Sequence, residues 1–166
     1  MLAVAPLRES SRSARACPTC GIPVDSKHFD ESKIVAPPEP GREVQLARFE
    51  LPPQYCGVLE YFSQYTNVHA SDASRVSTAG LRWQILSNRQ VLYPYTDLQA
   101  IVNPWGFGSF PMALRLAEGA TLEFVVRREQ AGGQKELEDI KYVGGRIAGR
   151  FWYDTAFGGV SGRSGG

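Results

Sequence analysis

Phe110–Arg128 reads FPMALRLAEGATLEFVVRR, and the fold turns on how this stretch is read. Phe110, Met112, Leu114 and Leu116 alternate with Pro111, Ala113, Arg115 and Ala117. A period of two marks a strand with one buried face. Glu118-Gly119 follows as a turn where glycine can take a positive φ. Alternation then resumes, with Leu122, Phe124 and Val126 set against Thr121, Glu123 and Arg127. The reading is an antiparallel hairpin whose apolar residues share one face. A lone hairpin is marginal in water, so the rest of the chain must cover that face.

Working outward, short strand signals recur. Val44 and Leu46 alternate with Glu43 and Gln45, and Phe49 and Leu51 continue on the opposite parity, which predicts a bulge near Ala47-Arg48. Tyr55–Tyr65 (YCGVLEYFSQY) reads as a strand kinked at Gly57. Asn67–Gly80 is small and polar, a surface loop or a short edge segment at Arg75-Val76. Leu81–Leu86 alternates, Ser87-Asn88-Arg89-Gln90 turns the chain, and Val91-Leu92-Tyr93 returns until Pro94. Gly144-Gly145 allows a bend before a last strand, Arg146–Tyr153, with Ile147, Phe151 and Tyr153 on one face and Arg146, Arg150 and Trp152 on the other. Many short strands with regular turns predict an all-β fold, an antiparallel β-sandwich of jelly-roll type.

Residues 1–41 read differently. Pro6, Pro18, Pro23, Pro37, Pro38 and Pro40, many serines and no sustained periodicity predict an extended arm before a sandwich over 42–155, with a Gly/Ser-rich flexible tail over 156–166. Removing residues 1–36 is therefore expected to leave a folded sandwich that no longer assembles. The start lacks a long apolar centre, which argues against a secretory signal, and Pro6 and Glu9 argue against a transit peptide.

The 166 residues carry a net charge of +1, which argues against a specific nucleic-acid or membrane-surface role. No apolar run approaches the roughly 20 residues of a membrane span. Three cysteines disfavour a closed disulfide framework, and a reducing site of synthesis is the simpler inference.

Cys17-Pro-Thr-Cys20-Gly21 has the spacing of half a tetrahedral zinc site. His28 is a candidate third ligand, with Cys56, His69 or Asp25 as candidates for the fourth. A zinc site shared between subunits would complete the set, and the plainer reading is two free thiols. Cys56 itself reads as a small core residue.

Two histidines cannot form the cluster that metal-oxidase chemistry needs. Gly159-Val-Ser-Gly162 lacks the spacing of a serine-hydrolase elbow. Glu60, Glu123, Glu136 and Asp139 are the carboxylates that a glycosidase would draw on, and solvated strand faces explain them better. Trp105 and Phe107 sit on a glycine-rich loop and, with Tyr93, Tyr95 and Trp152, are candidate contacts for a partner or a sugar ring. A carbohydrate-binding sandwich is accordingly the alternative to an assembly role, and a zinc-dependent adaptor a further one.

Pro37–Tyr153 resembles small β-sandwich structural proteins of tailed-bacteriophage virions, the decoration, head–tail or tail accessory subunits. The resembling stretches are LRWQILSNR (81–89), GSFPMALRL with LEFVV (108–126) and GGRIAGRFWY (144–153). The resemblance implies a non-enzymatic, multi-copy virion protein made in the host cytoplasm, with other virion proteins and copies of itself as partners in a homo-oligomer. It does not account for the cysteine pair.

Overall fold

A computed structural model describes residues 22–68, 76, 78–92, 110–131, 135 and 138–153. Its strands are β1 (Lys27–Val35), β2 (Glu43–Glu50), β3 (Tyr55–Thr66), β4 (Leu81–Ser87), β5 (Gln90–Val91), β6 (Phe110–Leu116), β7 (Thr121–Arg128) and β8 (Val143–Tyr153). They form two four-stranded sheets, β1-β8-β3-β6 and β2-β7-β4-β5. Every pairing is antiparallel. The expectation of an all-β sandwich holds. The pairings are nested, first strand with last: β1 with β8, β2 with β7, β3 with β6 and β4 with β5.

The core lies between the sheets. Leu59, Phe62, Val143 and Ile147 face it from one side, and Leu46, Leu81, Trp83, Ile85, Leu122, Phe124 and Val126 from the other, all at most 2% exposed. Phe62 meets Phe124 edge-on across the layers, with centroids 6.3 Å apart. Trp83 Nε1 donates to the Gly144 carbonyl at 3.1 Å, so the largest core side chain keeps its polar atom paired.

The stretch over 110–128 forms both expected strands but not the expected hairpin. β6 pairs with β3, placing Leu114 opposite Leu59, while β7 lies between β2 and β4. Residues 117–120 instead form a corner between the sheets, closed by the Ala120 amide donating to the Ala117 carbonyl at 3.1 Å with Gly119 at φ 65. The physical reason is burial. Glu123 and Val125 are buried alongside the core-facing Leu122, Phe124 and Val126, so β7 has two covered faces and sits centrally.

The β4–β5 hairpin is as expected. Asn88 and Arg89 both take positive φ (51 and 67), as a two-residue turn of primed type requires. Asn88 Oδ1 accepts from the Thr121 amide at 2.9 Å, and the Asn88 amide donates to the Thr121 carbonyl at 2.9 Å, tying the turn to β7.

The expected β2 bulge is present, between Gln45 and Ala47, leaving Leu46 and Ala47 consecutively buried. Three details differ from the sequence reading. β3 shifts register between Leu59 and Tyr61, not at Gly57. Gly144 and Gly145 lie inside β8 and do not bend it. A Cβ at Gly145 would stand 2.5 Å from the Phe124 ring, so glycine there admits the ring. Finally, Val68, Val76 and Ala79 are core residues in a stretch that reads as surface loop.

The largest difference is β1, which lies inside the segment read as an arm. Phe29 is 5% exposed and stacks on Phe49 at 4.1 Å and 6°. Phe29 is the one strand residue of β1 that is buried, so no apolar alternation betrays the strand. The sandwich therefore starts before residue 42, and removing residues 1–36 takes away a sheet strand. Nothing in the fold tests an arm role for the residues ahead of it.

Candidate functional site

The outer face of the β1-β8-β3-β6 sheet gathers the charged groups that a site needs. On β8, alternation places Arg146, Ala148 and Arg150 on that face, opposite the core residues Ile147 and Gly149. On β1, Asp30 lies opposite Ala148 and His28 opposite Arg150. On β3, the register shift leaves Glu60 as an extra residue between Leu59 and Tyr61. Without it, Glu60 and Tyr61 would point to opposite sides. The bulge instead brings both to one face, where both line the same depression.

Two arginine–carboxylate pairs cross the strands. Arg146 donates through Nε to Asp30 Oδ1 at 2.7 Å and through Nη2 to Asp30 Oδ2. Arg150 Nε donates to both carboxylate oxygens of Glu60 at 3.0 Å, and its Nη2 donates to Glu60 Oε1. These are fork geometries, the stronger class of charged hydrogen bond. The hydrogen bond from Arg146 holds the Asp30 carboxyl below its usual value of 3.8; burial opposes it, and the charge of Arg146 adds a smaller lowering. The sign follows: the pair favours the folded chain at any pH above that usual value and is lost as pH falls through the depressed one. Asp30 is thus unsuited to donate a proton near neutrality.

The two pairs border an open depression of about 450 Å³, lined by His28, Asp30, Glu60, Tyr61, Ala148 and the two arginines among others. Tyr61 is 47% exposed at its rim. A smaller hollow of about 230 Å³ adjoins it along Tyr61, Ser63, Arg146 and Ala148.

β1 stands at the end of its sheet, paired through β8 alone. Phe29, Glu31, Lys33 and Val35 share the core-side parity, yet Glu31 and Lys33 are exposed. Charges on the inward parity of an edge strand are a known way of limiting indiscriminate pairing.

The structure separates most of the residues singled out from sequence. Cys17, Cys20, His69, Tyr93, Tyr95, Trp105, Phe107 and Glu136 lie outside the described residues. Among the described residues, no three metal-ligating side chains converge, and His28 lies opposite Arg150 on the outer sheet face. Trp152 is half-buried on β8 opposite Cys56 and does not line the depression. Glu60 and Glu123 lie in opposite sheets, and Glu123 is buried against Arg89 at 3.3 Å. They do not form a catalytic pair. The Asp30–Arg146 pair and the exposed Tyr61 are what the sequence reading missed. Arg146 already reads on the outer parity of β8, and for Tyr61 the signal was the parity change after Leu59, where Glu60 and Tyr61 precede buried Phe62. Comparison with family models, curated proteins and solved structures returns no match to this chain.

Proposed function

We propose that the chain is a non-enzymatic structural protein that assembles through the open edge of β1, as a multi-copy virion component of tailed-phage kind. The nested pairing of β1 to β8 supports a jelly-roll wrapping, a fold that serves capsids among other roles. The observation that carries the proposal is the charge order along the β1 edge. It favours one way of pairing with a second copy.

A closed two-fold dimer that extends the sheet needs its axis perpendicular to the sheet. Opposed residues then share a face, so they share parity. With Asp30 on the axis, Asp30 meets Asp30 and Lys27 meets Lys33; with Glu31 on the axis, Glu31 meets Glu31. Like charges directly opposite are unfavourable. With Ser32 on the axis, Glu31 meets Lys33 twice, Asp30 meets Ile34 and Phe29 meets Val35. This register spans Phe29–Val35, most of β1, and covers Ile34, which is 61% exposed in the single chain. A register centred on Phe29 is also charge-compatible but overlaps only Lys27–Glu31. The inward charges thus select a partner register as well as rejecting others.

Native mass spectrometry of the full chain tests this through a charge swap. Glu31→Lys places lysine opposite lysine at two points and is expected to weaken the dimer by about 10- to 100-fold. Glu31→Lys with Lys33→Glu restores opposite charges and is expected to restore the dimer. A wild-type chain that stays monomeric at tens of micromolar, or a double variant as weak as the single one, would sink the proposal.

A further inference from the structure

We infer that the depression between β1, β8 and β3 is a binding site for a neutral saccharide, one or two pyranose rings in size. This goes beyond the assembly reading and does not depend on it. Its volume of about 450 Å³ falls within the range of roughly 300–1,000 Å³ that small-molecule sites occupy.

The ligand class follows from the lining. Two arginines and two carboxylates border the depression, so the formal charges of these four groups cancel. An anion would meet Asp30 and Glu60, and a cation would meet Arg146 and Arg150. Neither gains the net attraction that defines a phosphate or an ammonium site. A sugar hydroxyl both donates and accepts, and each arginine–carboxylate fork offers donors and acceptors side by side. Vicinal hydroxyls match that arrangement without disturbing the pairs. The forks also fix both partners before binding, which limits the ordering cost.

Tyr61 supplies the second element. Its ring is 47% exposed, an amphipathic aromatic beside polar groups, suited to stack on the C–H face of a pyranose. Ala148 supplies the third. It sits between Arg146 and Arg150 on β8 and opposite both Asp30 and Tyr61, so its small side chain is what leaves the hollow open. The two hollows meet at Tyr61, Arg146 and Ala148, which all line both, and this extends the site to a second ring.

Saturation-transfer NMR on the full-length chain tests this. The probes are methyl glycosides of glucose, galactose, mannose and N-acetylglucosamine and their common disaccharides, with inorganic phosphate followed by amide shifts as the charged control. The expected result is transfer to the ring C–H protons of at least one saccharide at millimolar concentration, and no phosphate-induced shift at Asp30, Glu60, Arg146 or Arg150. Tyr61→Ala is expected to weaken binding about tenfold. Ala148→Phe, which fills the hollow from a partly exposed position, is expected to abolish it with melting unchanged. Tyr142→Ala, exposed and outside the depression, and Glu31→Lys at the sheet edge are expected to leave it intact. The inference is overturned by no transfer from any saccharide, by binding that survives Ala148→Phe, or by phosphate occupying the site.

Discussion

A chain lacking residues 1–36 is expected not to fold cooperatively. The deletion removes β1 entirely and with it the whole β1–β8 ladder from Lys27↔Phe151 to Val35↔Val143. Phe29 alone, 5% exposed in the core, costs about 3–5 kcal/mol when such a ring is lost. Its stack on Phe49 adds about 0.5–1.5 kcal/mol. Against a total stability of about 5–15 kcal/mol, these losses and a newly exposed β8 edge leave little margin. Circular dichroism melting reads the outcome. A truncated chain that melts within about 5 °C of the full chain would show that β1 is dispensable to the sandwich.

Gly149→Ala is expected to be the most damaging glycine-to-alanine change among the described residues. In a strand, glycine to alanine ordinarily stabilises by about 0.5–1 kcal/mol. Here the new Cβ would stand 2.1 Å from the Val58 carbonyl oxygen and 2.8 Å from Cε1 and Cζ of Phe29. The carbonyl belongs to β3, the neighbour of β8 on one side, and Phe29 belongs to β1, the neighbour on the other. Relieving the clash therefore means shifting two strands, and the expected loss is about 3 kcal/mol or more. Gly119→Ala is the informative contrast. Nothing lies within 4 Å of its Cβ, so only its φ of +65 opposes the change, at about 1 kcal/mol. Urea unfolding of both variants separates steric from conformational cost. Equal losses would mean that the approach of β8 to β1 and β3 is not as close as described.

The two glycines also show how far the sequence can be read. Gly119 lies in a turn, and turn glycine is a local signal. Gly145 and Gly149 are fixed by rings of Phe124 and Phe29 that approach from distant parts of the chain, and no local pattern marks them. The same division runs through the whole fold. Strand positions were legible wherever alternation is strong, as in β4, β6 and β7. Pairing was not. A four-residue connection between β6 and β7 suits a hairpin and a sheet-to-sheet corner equally, and the choice is made by β2 and β4 closing on β7. β1 was hidden because it buries one residue, Phe29, in a polar context. The outer-face site was partly hidden for a related reason. Arg146 and Arg150 were assigned to the correct face of β8, but Asp30 lay in the segment read as an arm. Glu60 needed the bulge, which becomes visible only when β3 is set against β8. The loop aromatics and the cysteine pair lie outside the described residues, so zinc and loop contacts remain expectations from sequence.

The central claim is that two copies of β1 meet with Ser32 on the axis, and a disulfide tests it most directly. Opposed Cα atoms in an antiparallel pair lie about 4.5–5.5 Å apart, within the roughly 4.4–6.8 Å that a disulfide spans. The full chain carrying Ser32→Cys is expected to form a covalent dimer under mild oxidation, with the 32–32 linkage recovered by peptide mass mapping. Lys27→Cys places its two sulfurs about 33 Å apart in that register and is expected to form none. A Ser32→Cys chain that stays monomeric, or a Lys27→Cys chain that cross-links as readily, would contradict the account.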